Sequence, residues 1–169
     1  KKSFSTVLDI GAGSGCISTS LALEIPNIRI DAIDKSEIAL RNISDNINYY
    51  NCEHIINLYH LDILESIPNQ KYDVIVSNPP YIPLDQINNL EHSVQYYDPM
   101  NALTDYSDGM TFYKRIFDIS STILNEGGLI IFEFGTVDQR DQIIDIFNGY
   151  YYNTFNDLSN NPRVILFQL

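Results

Sequence analysis

Thr6-Val7-Leu8-Asp9-Ile10-Gly11-Ala12-Gly13-Ser14-Gly15 begins as a short apolar run and ends in three glycines at alternate positions. Helix-period apolar residues follow from Ile17 to Ile25, stopping at Pro26, so the stretch predicts a strand, a glycine loop and a helix. A loop of this kind lets a ligand approach the backbone and the helix N-terminus closely. The pattern then repeats: Ile28 to Ile33 reads as a β-branched strand, and Ser36 as the N-cap of a helix over Ile38 to Tyr49. Asp34 ends the second strand 19 residues after Gly15, the place where an acid can grip a ribose diol. Together the loop and the acid predict an adenosine-type ligand. The dinucleotide spacing G-x-G-x-x-G, counted from Gly11 and Gly13, lands on Cys16 and is not met. Asp9, ahead of the first glycine, suits a ligand with a cationic amine better than a pyrophosphate, and amides at the helix N-terminus favour its charged form.

Further along, Ile55 to Leu61 and Tyr72 to Ser77 read as strands, the latter apolar without alternation, as a strand buried on both faces should be. Residues 78 to 108 have no clean period and carry Pro79, Pro80, Pro83 and Pro99; such a stretch within one domain is usually functional or mobile. Met110 to Leu124 has a helical pattern, Gly127-Gly128 turns the chain, Leu129 to Phe134 is a strand and Asp138 to Phe147 a helix. Tyr150 to Phe155 and Val164 to Leu169 have no helix between them and read as an antiparallel pair. The expected fold class is therefore α/β, a doubly wound, mostly parallel, seven-stranded sheet with an antiparallel C-terminal strand pair. Ligands of such sheets sit at the carboxyl ends of the strands, near the topological switch point.

The chain has 169 residues, 10 Lys+Arg against 22 Asp+Glu, a net charge of -12 and 44% hydrophobic residues. One domain of this size buries roughly 70% of its extended surface and needs no disulfide or metal staple. Cys16 and Cys52 read as free thiols in a reducing compartment, and His54, His60 and His92 lack metal-ligand spacing, so no metal is expected. Apolar runs are far shorter than the roughly 20 residues a bilayer demands, and no signal peptide opens the sequence, so a cytoplasmic protein without membrane contact is expected. The acidity disfavours nucleic acid as direct substrate. The first residue is Lys1 and only a few residues precede the first strand, which suggests part of a longer protein.

Two more elements fall at strand ends. Asp62 closes the third strand, where it is expected to accept an adenine amino group, with Ile63 and Leu64 as apolar ring contacts. Ser77-Asn78-Pro79-Pro80-Tyr81 follows the fourth strand directly. The prolines hold the backbone extended and cannot donate, leaving the Pro79 carbonyl free to accept. The Asn78 side-chain carbonyl, the Pro79 carbonyl and the flat face of Tyr81 can together hold a planar NH2 group by both hydrogens. A substrate amide and an adenine exocyclic amine both fit.

On these residues the chain resembles class I S-adenosylmethionine methyltransferases of the Asn-Pro-Pro-Tyr type, and more specifically the HemK-like protein-glutamine N5-methyltransferases that act on peptide chain release factors. The match continues through Tyr97-Asp98-Pro99-Met100-Asn101-Ala102-Leu103, Ser107-Asp108-Gly109, Gly127-Gly128, Glu133-Phe134-Gly135 with Gln139, and Asp157 to Val164 with Arg163. Ala12 and Asp98 stand where Thr and Glu are expected, and Asn160 replaces a turn glycine.

The resemblance implies a Rossmann-like methyltransferase domain over residues 1–169, without the N-terminal helical docking domain that such enzymes usually carry. It implies S-adenosyl-L-methionine as cofactor, S-adenosyl-L-homocysteine as product and the Gly-Gly-Gln loop of a release factor as substrate. Asn78, Pro79 and Tyr81 are then catalytic, and Asn78, Pro79, Pro80 and Tyr81 hold the substrate. Asp9, Gly11, Gly13, Gly15, Asp34, Asp62, Ile63 and Asn78 hold the cofactor. The competing readings are a nucleic-acid adenine N6-methyltransferase, which would be expected to add basic surface, and a noncatalytic nucleotide-binding regulatory domain.

Overall fold

The computed structural model describes residues 4–90 and 99–169; His92, Tyr96, Tyr97 and Asp98 lie outside the described residues. Strand β1 (Thr6–Ile10) leads through the glycine loop into α1 (Cys16–Glu24), and β2 (Arg29–Asp34) into α2 (Glu37–Tyr49). Ser36 caps α2 as expected, its side chain accepting the Ala39 N–H. Next come β3 (Ile56–His60), β4 (Tyr72–Ser77), a 3-10 turn (Leu84–Asn89), the short α3 (Met100–Leu103) and α4 (Thr111–Ile123). The chain closes with β5 (Leu124–Glu133), α5 (Val137–Ile146), β6 (Tyr151–Asn156) and β7 (Pro162–Gln168).

The seven strands run in the order β3-β2-β1-β4-β5-β7-β6. The first five are mutually parallel, and β7 lies antiparallel between β5 and β6. The expected antiparallel terminal pair is present at the β5 edge, with β7 paired to β5 and β6 outermost. One difference concerns Gly127-Gly128. The turn expected there is a bulge inside β5, where Tyr72 pairs with Leu124 and Val74 already with Leu129.

Two apolar layers cover the sheet. One packs Leu8, Ile10, Ile75 and Phe132 against Tyr113, Ile116, Ile143 and Phe147, from α4, α5 and the residue after α5. The other packs Val7, Ile30 and Ala32 against Ala22, Ile43 and Ile47 from α1 and α2. Register then decides where the polar strand ends meet. Ile10 is paired with Ile33 on one side and with Ser77 on the other. One residue further, Gly11, the strand-ending Asp34 and Asn78 stand side by side, on either side of the point where strand order reverses.

Candidate functional site

The glycine loop is tied to the end of β2. Gly11 and Ala12 both donate to the Ile33 carbonyl, at 2.9 and 3.1 Å. The Asp34 carboxylate accepts the Gly13 N–H at 2.9 Å and the Ser36 N–H at 2.8 Å, joining loop, strand and α2. Two oxygens offer four acceptor positions, so capacity for a ligand hydroxyl remains.

Not every expected ligand contact faces the same way. Gly11, Gly13, Asp34, Asp62, Ile63, Asn78, Pro79, Pro80 and Tyr81 line a single cavity of about 830 Å³, within the range typical of small-molecule sites. Gly15, Asp9 and Leu64 do not line it. A Cβ at Gly15 would stand 2.2 Å from Ile43 Cγ1, so this glycine is required for the packing of α1 on α2. Asp9 is 1% exposed and points from β1 toward α1. Its carboxylate accepts the Ser18 hydroxyl at 2.6 Å and also takes a backbone bond from Ser18. Gly15, the N-cap of α1, has no capping side chain, and Asp9 fills that role from the neighbouring strand. Against the expectation that helix amides keep Asp9 charged, burial outweighs the Ser18 bonds and pushes its pKa up to about 6.

On the β3 side, Asp62 accepts the Leu64 N–H at 2.9 Å and lies 3.9 Å from the Lys35 ammonium. Ile63 is buried, and Arg115 on α4 donates to its carbonyl at 2.8 Å, fixing the loop behind the cavity wall. No sequence signal pointed to that arginine.

On the β4 side, the Ser77 hydroxyl donates to the Ile10 carbonyl at 2.8 Å and locks β4 to β1 just below the loop. Asn78 is exposed on the cavity wall and Pro79 is buried. The Tyr81 hydroxyl lies 3.4 Å from a Glu133 carboxylate oxygen, and burial, then the Glu133 charge, raise its pKa. Ile82 donates to the Leu103 carbonyl at 2.9 Å, which brings Pro99, Ala102 and Leu103 to the cavity. Asp105 accepts N–H bonds from Ser107, Gly109 and Thr111 and so ties this return to the start of α4.

The cavity therefore runs from the ends of β1, β2 and β3 to the Asn78-Pro79-Pro80-Tyr81 turn beyond β4. Among the described residues no group of three or more His, Cys, Asp or Glu is placed to hold a metal ion. His60 sits with Nε2 2.9 Å from the Lys35 carbonyl oxygen. No helix among the described residues is long and apolar enough to cross a membrane.

The family model for the methyltransferase small domain matches residues 1–93. A bifunctional methyltransferase of Rickettsia bellii is 38% identical over 164 residues, covering 95% of this chain and 29% of that protein. A release factor glutamine methyltransferase of Bacillus subtilis is 34% identical over 164 residues, covering 94% of this chain and 56% of its own length. The chain thus spans between about a third and just over half of these relatives. Among solved structures, a methyltransferase from Pyrococcus furiosus superposes with a TM-score of 0.70 at 18% identity, covering 99% of this chain and 76% of that one.

Proposed function

The chain belongs to the methyltransferase small domain family, and from that premise we propose that it methylates the side-chain amide nitrogen (N5) of a glutamine in a protein, the Gly-Gly-Gln loop of a peptide chain release factor. The observation that supports this most is the sharing of one cavity by the glycine loop and the Asn78-Pro79-Pro80-Tyr81 turn. The names of the relatives point the same way, since one is a release factor glutamine methyltransferase.

S-adenosylmethionine supplies an electrophilic methyl carried on a sulfonium. The donor set fits it. A Cβ at Gly11 would meet no protein atom within 4 Å, so the loop leaves open space along the cavity wall. Asp34 would hold the ribose diol, Asp62 the adenine amino group and Ile63 the ring face. On the other side, Asn78 and Pro79 would each accept one N–H of the glutamine amide, with Tyr81 packed against its plane. An amide nitrogen is a poor nucleophile because its lone pair is delocalised into the carbonyl. Two acceptors both orient that nitrogen and strengthen as it gains positive character, which favours the transition state over the ground state. No general base is required, because the proton can leave to solvent after transfer.

The test is methyl transfer from labelled S-adenosylmethionine to intact release factor and, separately, to duplex DNA. Label on the glutamine of the Gly-Gly-Gln loop is expected. With Asn78→Ala, turnover should fall about a hundredfold while cofactor affinity holds, the scale for one preorganised hydrogen-bonding partner. A fall of less than about threefold with intact substrate binding would remove Asn78 as the clamp. Efficient labelling of DNA in place of protein would overturn the substrate.

A further inference from the structure

Pro79 and Pro80 carry no N–H, so the turn from Asn78 to Tyr81 has few local backbone bonds with which to brace itself. Its geometry is set from elsewhere. The buried side chain of Gln139, 6% exposed in the first turn of α5, spends both ends of its amide at this place. Its Oε1 accepts the N–H groups of Gly135 and Thr136 at 3.0 and 3.2 Å, completing a capping box with Thr136. Its Nε2 donates to the Tyr81 carbonyl, 58 residues away in sequence.

We propose that Gln139 is a positioning residue for methyl transfer, fixing the Tyr81 carbonyl and through it the aim of the Asn78 and Pro79 acceptors. This rests on the reading of those two as the amide clamp. A capping box needs only an acceptor at this position, and Glu serves there as well as Gln. The donor is what Gln adds, and its target is the acceptor turn. The space around the bond is equally specific. A Cβ at Gly109 would stand 2.3 Å from the Tyr81 carbonyl oxygen, and one at Gly135 would stand 2.8 Å from both Gln139 Oε1 and Tyr81 Cε2. Two glycines from separate segments thus bracket the contact. With its carbonyl engaged by Gln139, Tyr81 leaves Asn78 and Pro79 as the acceptors for substrate. Misplacing a reacting group by about 1 Å can cost a hundredfold in rate, so losing this tether acts on turnover before binding.

Gln139→Glu separates the two roles, since it keeps oxygens for the cap and loses the donor. Gln139→Met, with no charge to bury, loses both, and keeps the test open if the first variant folds poorly. For Gln139→Glu, kcat should fall at least about tenfold while the Kd of S-adenosylmethionine, measured by calorimetry, stays within about twofold. Amide exchange at Ile82, the residue after the turn, should rise at least about tenfold, while that of Arg140, bonded to the Thr136 carbonyl in α5, stays within about twofold. Gln139→Met should show the same loss of kcat with a lower Tm. Unchanged Ile82 exchange, or kcat within about twofold of the parent, would overturn the proposal. A parent chain that methylates neither release factor nor DNA overturns the clamp reading instead, and the Ile82 exchange ratio then still decides whether Gln139 holds the turn.

Discussion

The Asp9 carboxylate accepts the Ser18 hydroxyl at 2.6 Å and a bond from the Ser18 backbone, so a strand residue caps the helix that the loop introduces. Burial, partly offset by the Ser18 bonds and reinforced by the Asp34 charge, pushes its pKa from 3.8 up to about 6. A raised folded-state pKa means that the native state binds the proton more tightly. Asp9 therefore costs nothing below its unfolded pKa, and stability declines as pH rises from about 4 to about 6. Asp9→Asn keeps an acceptor for Ser18 and removes the buried charge. It should raise unfolding free energy at pH 7.5 by about 1 to 3 kcal/mol and change little at pH 4. Denaturant titrations at the two pH values check this; equal effects at both would show that ionisation of Asp9 is not the cost.

Asp73 works with the opposite sign. Its Oδ2 accepts the Ser5 and Thr6 N–H groups at 2.9 and 3.1 Å, and its Oδ1 the Asn125 amide at 3.0 Å. These bonds, led by the one from the Ser5 backbone, hold its pKa down at about 2. Its contribution is present above its unfolded value near 4 and is lost as pH falls toward 2. Asp73→Ala should lower Tm at neutral pH and flatten the fall of Tm between pH 4 and 2. Parallel slopes for the two proteins would sink the assignment.

The residues that the sequence placed together at the cavity are those for which a strand end alone decides position. Gly11 and Asn78 each follow a parallel strand and Asp34 ends one, and the Ile10–Ile33 and Ile10–Ser77 register then brings them together. Asp9 and Gly15 belong to the same motif but do not line the cavity, because their orientation depends on what α1 and α2 bury. Alternation along β1 sends Asp9 to the α1 side, and Ile43, 28 positions after Gly15, occupies the space that makes Gly15 necessary. Gln139, Gly109 and Gly135 were visible as part of a family pattern but had no local signal for their task. Their partner is the Tyr81 carbonyl, a contact that exists only once three distant segments have closed. The antiparallel terminal pair is legible from two strand-like runs with no helix between them; which of the two meets β5 is not, since an antiparallel hairpin can add to a sheet by either of its strands.

Asp34 should be the residue on which cofactor affinity depends most among the acids of the cavity. Asp34→Ala removes the acceptor proposed for the ribose diol together with the bonds from Gly13 and Ser36. Binding of S-adenosylmethionine should weaken by about 1 to 3 kcal/mol, the range for losing charge-assisted hydrogen bonds. Calorimetry reads it directly, and unchanged affinity would remove Asp34 from the cofactor site.

The glycines of the loop should divide by function, and alanine substitution separates them. Gly15 has φ +77°, and an added Cβ would meet Ile43 Cγ1 at 2.2 Å and Cδ1 at 2.7 Å. Ile43 is fully buried between α2 and the sheet, so it has little room to give. Overpacking and left-handed backbone strain add, and Gly15→Ala should destabilise the fold by about 2 to 4 kcal/mol. Gly11 has φ +70°, yet its Cβ would meet nothing within 4 Å. There only the backbone term remains, about 1 to 2 kcal/mol, while the new methyl projects from the cavity wall where the cofactor is proposed to lie. Gly11→Ala should therefore retain most stability and lose at least about tenfold in S-adenosylmethionine affinity. Urea denaturation and calorimetry on the two variants give four numbers that should cross: the larger stability loss with Gly15→Ala, the larger affinity loss, once corrected for the unfolded fraction, with Gly11→Ala. If Gly11→Ala binds the cofactor as tightly as the parent, the methionine end of the ligand does not lie along this loop.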